Sequence, residues 1–176
     1  MQLVYKIGNA LEPEETSPYW ILHGCNNVGG FGSGFVAAIN NKYGTGDKSP
    51  ASEYQKLFEN GKTPALGDIQ PVKIGGKNLI INLISQKGCG VQSFHKVELG
   101  IPFRYEAFYE CLQRVKILAD IYNEKYGAYP NLVSPLIGCG LALAKKDDVV
   151  SVIQDVFYTT KINYTIYELA PKVSKN

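Results

Sequence analysis

Short runs rich in β-branched residues and longer runs with three-to-four spacing succeed each other along the chain, the pattern of strands interleaved with helices. Leu3 to Ile7 and Trp20 to Leu22 read as strands, the second ending at His23-Gly24, where glycines begin and regular pairing is expected to stop. Phe35, Val36, Ile39 and Tyr43 recur as the buried face of a helix that Gly44 and Gly46 terminate. Residues 44–65 are polar apart from a helical piece around Tyr54, Leu57 and Phe58, and read as a surface excursion. Leu66 to Ile74 and Asn78 to Ile84 are β-rich and joined across Gly75-Gly76-Lys77, which predicts an antiparallel hairpin. Phe108, Cys111, Leu112, Val115, Leu118 and Tyr122 mark a long helix from about Phe103 to Tyr122. Asn131 to Ile137 is a strand that tolerates Pro135 only near its end. Asp147 or Asp148 is placed to cap a helix buried through Val149, Val150, Ile153, Val156 and Phe157, and Ile162 to Leu169 is the last strand.

Strands alternating with helices predict a sheet covered on both faces: a three-layer α/β/α sandwich, its sheet mixed and mainly six-stranded. With 176 residues, 45% of them apolar, and neither linker nor repeat, the chain reads as one domain over 1–176. The longest apolar stretch, Leu79 to Ile84, is far short of a membrane span, and the N-terminus lacks a signal peptide's regions, so a cytoplasmic protein without membrane partners is expected. A net charge of +2 gives no support to nucleic acid as the partner. Cys25, Cys89, Cys111 and Cys139 form no C-x-x-C pair and read as free thiols, and two histidines leave a zinc site without support, so no metal is expected.

Glycine placement points to the chemistry. Gly24 to Gly34, Gly88 with Gly90, and Gly138 with Gly140 each follow a predicted strand, at the sheet edge where α/β proteins bind ligands. Without a Cβ, backbone N–H groups approach an anion closely, and a helix N-terminus adds a favourable field, so the three groups together read as a phosphate cradle. Gly32-Ser33-Gly34-Phe35-Val36-Ala37 also fits a loose dinucleotide fingerprint, but no second strand with a closing acidic residue follows; no G-x-x-x-x-G-K-[ST] exists either. On the first loop, His23 is suited either to move a proton or to satisfy a backbone group at a strand end, and the amides of Asn26 and Asn27 to orient a hydroxyl or a water. His95 reads as a surface residue, and Cys25 and Cys139 lack a neighbouring base.

Three segments resemble the macro domain, the ADP-ribose-binding α/β/α module. They are Tyr5-Lys6-Ile7-Gly8-Asn9, the run Leu22-His23-Gly24-Cys25-Asn26-Asn27-Val28-Gly29-Gly30-Phe31-Gly32-Ser33-Gly34, and Pro135-Leu136-Ile137-Gly138-Cys139-Gly140-Leu141. The resemblance implies an ADP-ribose ligand and no cofactor. Gly8, Asn9 and Ala10 would lie by the adenine, Asn9 standing where the family often has an aspartate. Asn26, Asn27 and Gly29, Gly30, Phe31, Gly32, Ser33 and Gly34 would surround the distal ribose. Gly138, Cys139, Gly140, Leu141 and Ala142 would hold the diphosphate through main-chain amides, with Pro135, Ile137 and Gln86 also at the ligand.

Within the family the chain is most similar to the branch of ADP-ribose-1″-phosphate phosphatases and glutamate-linked ADP-ribose hydrolases. Glycohydrolases of that branch use a lysine and an aspartate where this chain has Gln86, beside Lys87, and Ala142; without the carboxylate that hydrolysis lacks its displacing group. The phosphatases retain a histidine where this chain has His23. The expectation is therefore release of phosphate from ADP-ribose-1″-phosphate, with His23 and Asn26 nearest the chemistry. The alternatives are a non-catalytic reader of ADP-ribose or of ADP-ribosylated protein, and a hydrolase that removes ADP-ribose from its acceptors.

Overall fold

The computed structural model describes residues 1–88 and 100–170. The expectations for Cys89, Gly90 and His95 lie outside those residues. Its six strands are β1 (Gln2–Ile7), β2 (Tyr19–Asn26), β3 (Ile69–Gly75), β4 (Asn78–Gln86), β5 (Asn131–Pro135) and β6 (Asn163–Glu168). They lie in the order β1-β6-β5-β2-β4-β3, with β3 and β4 the antiparallel hairpin and every other pair parallel. This is the expected mixed sheet.

Alternation along β2 builds the two outer layers. Trp20 and Leu22 point to one face, where they pack with Phe108, Leu112 and Ile153 of helices α3 (Tyr105–Tyr126) and α4 (Lys146–Phe157). Ile21 and Cys25 point to the other, against Ile39 and Tyr54 of α1 (Phe35–Tyr43) and α2 (Pro50–Lys56). Each such aliphatic side chain, removed from water, contributes about 1.5–3 kcal/mol. A period of two therefore decides which residues meet which helix layer.

Several elements depart from the sequence expectation. Strand β2 does not end at His23-Gly24 but runs to Asn26, with Gly24 paired to Leu83 inside the sheet. Residues 44–65 hold the expected helical piece at Tyr54 between exposed flanks, but that piece packs into the fold rather than lying on its surface. Ser49 caps α2 by accepting from Ser52 N at 3.1 Å, Pro50 opens the helix, and Pro50, Ala51 and Tyr54 are buried. The strand β5 stops at Pro135 rather than Ile137, since proline has no N–H to continue the ladder. Helix α4 begins after Lys145, so Asp147 and Asp148 occupy its first turn instead of capping it, where their charge suits the positive end of the helix. Helix α3 starts two residues later than expected because Phe103 is still bridged to Gln86. No helix among the described residues is long and apolar enough to cross a membrane.

Candidate functional site

The carboxyl ends of β2, β4 and β5 open on a cleft of about 330 Å³. Of the residues singled out in the sequence, His23, Asn26, Gly30, Gly32, Ser33, Gly34, Gln86, Pro135, Ile137, Gly138, Gly140, Leu141 and Ala142 line it. Gly8, Asn9, Ala10, Asn27, Gly29, Phe31 and Cys139 do not. Gly24, which opens the first glycine group, lines it as well, and so do Cys25, Phe35, Val36 and Leu136, to which sequence reasoning assigns no ligand role; all five stand inside or directly beside the glycine segments, which was the available signal.

The segment with Gly8, Asn9 and Ala10 lies after β1, where Asn9 Oδ1 accepts from Leu11 N at 3.0 Å. The chain beyond it is anchored by Glu15, whose carboxylate accepts from Tyr167 Oη at 2.6 Å, Lys6 Nζ at 2.9 Å and Thr165 Oγ1 at 2.9 Å. Burial pushes this carboxyl up, but those three hydrogen bonds outweigh it and hold Glu15 below its ordinary range.

The loop after β2 is shaped by side chains. Asn26 Oδ1 accepts from Val28 N and Gly30 N, both at 3.0 Å, and its Nδ2 donates to Gly30 O at 2.6 Å. From α2, Tyr54 Oη donates to Asn26 O at 2.5 Å, and Gln55 Nε2 donates to Gly29 O at 2.9 Å. Asn40 Nδ2 donates to Phe31 O at 2.9 Å. Asn27 Oδ1 accepts from Gly88 N at 3.1 Å, which ties the loop after β4 to the same place. Asn26 and Asn27 thus hold the loop in shape. The loop delivers the chain into α1, whose N-cap Gly34 has no side-chain cap and whose first turn carries no acidic residue. Phe35 and Val36 line the cleft, so the free amides and positive end of that helix open onto it.

The loop after β5 closes on itself through backbone bonds, Leu143 N to Gly140 O at 3.0 Å and Ala144 N to Gly138 O at 2.9 Å. Gly138 has φ +76°, and a Cβ there would lie 2.4 Å from Phe103, so only glycine fits. Leu141, 52% exposed, reaches across to within 3.7 Å of where a Cβ on Gly34 would stand, so the two loops meet.

His23 is 1% exposed and belongs to a polar row across the sheet. Gln70 Nε2 donates to Glu53 O at 2.7 Å, Asn82 Nδ2 donates to Gln70 Oε1 at 2.9 Å, and Asn82 Oδ1 lies 2.6 Å from His23 Nε2. Because the row ends on a backbone carbonyl, which only accepts, Asn82 must offer His23 its oxygen and Nε2 must carry the proton. Nδ1 faces the Cys25 thiol, whose S–H is placed to donate to it at 3.7 Å. Burial between Phe31 and Phe35 depresses His23 to about 4, more than the Asn82 and Gly24 hydrogen bonds restore, and pushes the Cys25 thiol well up. At neutral pH both are uncharged.

Gln86 and Ala142 line the cleft, whereas Lys87 is exposed and does not. No Asp, Glu, Lys or Arg side chain lines it among the described residues. Nor, among those residues, does any group of three or more His, Cys, Asp and Glu side chains gather to hold a metal ion.

No family model matches the sequence, and no curated protein matches it. Solved structures do. One, of a protein of unknown function from Bacteroides thetaiotaomicron, is 30% identical, with 95% of this chain and 98% of that chain covered and a TM-score of 0.77. A macrodomain protein from Streptomyces coelicolor is 27% identical over 95% of this chain and 99% of its own, with a TM-score of 0.72. Thermosipho africanus DarTG in complex with ADP-ribose is 12% identical over 89% of this chain and 39% of that one, with a TM-score of 0.58, a likeness of fold.

Proposed function

From the macro domain fold, and from structural neighbours that support the chain's place in the macro domain family, we propose that the cleft binds ADP-ribose. One observation carries the reading: the uncapped N-terminus of α1 opens on a cleft lined by glycines from two loops and, among the described residues, by no charged side chain. A diphosphate there is held by main-chain amides and the helix field, in the way a helix N-terminus holds an anion. DarTG, which shares this fold over 39% of its chain, is in complex with ADP-ribose, which supports the choice of ligand.

Binding without turnover is the activity the groups favour. Asn26 is spent on its own loop, the proton of His23 is committed to Asn82, and no carboxylate stands among the described lining residues. Such a module reads ADP-ribose free or attached to protein. Calorimetric titration with ADP-ribose is expected to give one site, with shifts in the amide signals of Gly32, Gly34 and Gly140. A titration without heat and without amide shifts would end the proposal.

A second reading, hydrolysis of ADP-ribose-1″-phosphate to ADP-ribose and phosphate, is favoured by the place of His23 at the cleft wall, with its Nδ1 not taken up by Asn82. Phosphate release by the wild type that disappears in His23→Ala selects it, and binding of the 1″-phosphate without release selects the reader.

A further inference from the structure

Helix α3 carries two apolar lines. One is its core face, where Phe108, Cys111, Leu112, Val115 and Ala119 are buried against the sheet. The other is turned to solvent: Ile117 and Ile121 stand one turn apart and are 59% and 55% exposed. A single exposed isoleucine is ordinary, but the helical repeat puts Ile117 half a turn round from the core face, with Ile121 directly along from it. Nor do they serve the helix itself. A β-branched side chain loses freedom in a helix that Lys or Glu would keep at the same exposed position.

Exposed residues along this line recur at alternating steps of four and three, as Glu110, Arg114, Ile117, Ile121 and Glu124. That is the spacing of a seam between two packed helices. Its charges are ordered so that the seam fits a reversed copy of itself. With a two-fold axis at the level of Ala119, Ile117 of each copy meets Ile121 of the other, and Arg114 of each meets Glu124 of the other. The centre is then apolar and both ends pair opposite charges. Other arrangements do not match. An axis at Ile117 sets Glu110 against Glu124, an axis at Ile121 sets Lys125 against Ile117, and a parallel pair sets Arg114 on Arg114 and Glu124 on Glu124. Arg114 is also steadied for the contact. Its Nη1 donates to Gly67 O at 2.7 Å and stands 3.7 Å from Glu110, while a guanidinium offers five donors in all.

We propose that the outer face of α3 is the interface of an antiparallel homodimer of this chain, an isologous contact in which each seam meets its own copy. The order of charges, more than the apolar area, identifies a second copy as the occupant. One helix from each chain makes a small contact, at the low end of specific interfaces, so the dimer is weak and depends on concentration. Helix α3 starts beside the carboxyl end of β4, where Phe103 is bridged to Gln86, and runs back to the start of β5. Reversing one copy therefore sends the two clefts to opposite ends of the dimer, and both stay open. The inference stands apart from what the cleft binds.

Sedimentation velocity on the full chain tests it. The mass is expected to rise from 19.4 kDa at about 5 µM toward twice that value near about 500 µM. Ile117→Glu is expected to stay monomeric over the same range, with the Tm of the dilute protein unchanged because the replaced side chain is exposed. Arg114→Glu and Glu124→Arg are each expected to weaken self-association about three- to thirtyfold, since symmetry repeats the altered pair twice. An equimolar mixture of those two variants is expected to associate as tightly as the wild type, because every Glu then faces an Arg. A mass of 19.4 kDa at every concentration would leave this face to a different protein and overturn the dimer. A dimer that Ile117→Glu leaves intact, charge reversals without effect, or a mixture no tighter than its components would overturn it equally.

Discussion

The two loops that wall the cleft are built by opposite means. The loop after β2 takes its shape from side chains distant in sequence: Tyr54 and Gln55 reach it from α2 and Asn40 from α1, while Asn26 binds it from within. Beneath it the row from His23 through Asn82 and Gln70 ends on Glu53 of the same helix α2. The loop after β5 needs almost no such help. Its turns are backbone bonds, and one glycine packed on Phe103 fixes its start. Leu141 and Leu143 stay half exposed at its rim. A loop held by tertiary hydrogen bonds is sensitive to residues far from the ligand, whereas one held by its own turns is sensitive mainly where the chain conformation leaves no alternative.

The largest effect is expected at that second kind of position. Gly138→Ala combines a left-handed conformation, costing about 1 kcal/mol, with overpacking against Phe103 worth up to about 3 kcal/mol, and is expected to destabilise by roughly 4 kcal/mol in urea unfolding. Less than 1 kcal/mol would show that the loop accommodates a side chain, and would erase the contrast.

Next is the footing of the first loop. His23 has an ordinary value of 6.5 and is depressed to about 4 in the folded protein. Between those values the unfolded chain binds the proton and the folded one does not. Stability is thus expected to fall by about 3 kcal/mol as pH drops from 6.5 to 4, with the full contribution present above 6.5. His23→Gln, which keeps a donor for Asn82, is expected to lose this slope. An identical pH profile in the two proteins would mean His23 is not held neutral.

Smaller still is Tyr54→Phe, which leaves Asn26 O without its donor. A loss of about 1–2 kcal/mol in stability is expected, with weaker ADP-ribose binding. Gln55→Ala removes a solvent-exposed bond to Gly29 and is expected to cost no more than about 0.5 kcal/mol. If Gln55→Ala proved as harmful as Tyr54→Phe, the loop would depend on its exposed anchor as much as on its buried one.

Periodicity made the hairpin across Gly75-Gly76, the long helix and the alternation of layers legible, since each is a local pattern of apolar spacing. Glycine segments marked both walls of the cleft for the same local reason. The role of α2 was not legible: its few apolar positions mark a short helix, but that Tyr54 would reach back to Asn26 is a contact between residues 28 positions apart. His23 looked like a proton-transfer group because its residue type is suited to that work. Burial under Phe31 and Phe35 and the direction of a three-member amide row, both products of the assembled sheet, decided its charge and tautomer. Gly24 likewise ends strands in most sequences, yet here it sits within one and makes room for Gln86 and Ser85.

The amino-acid order by itself therefore determined which stretches become strands, helices and side-chain-free turns, because steric freedom and apolar spacing act over a few residues. What those turns enclose, which polar groups are used up in holding them and which are left for a ligand, was decided only when strands β2, β4 and β5 came to lie side by side. Burial and hydrogen-bond satisfaction depend on neighbours that the chain brings together from far apart.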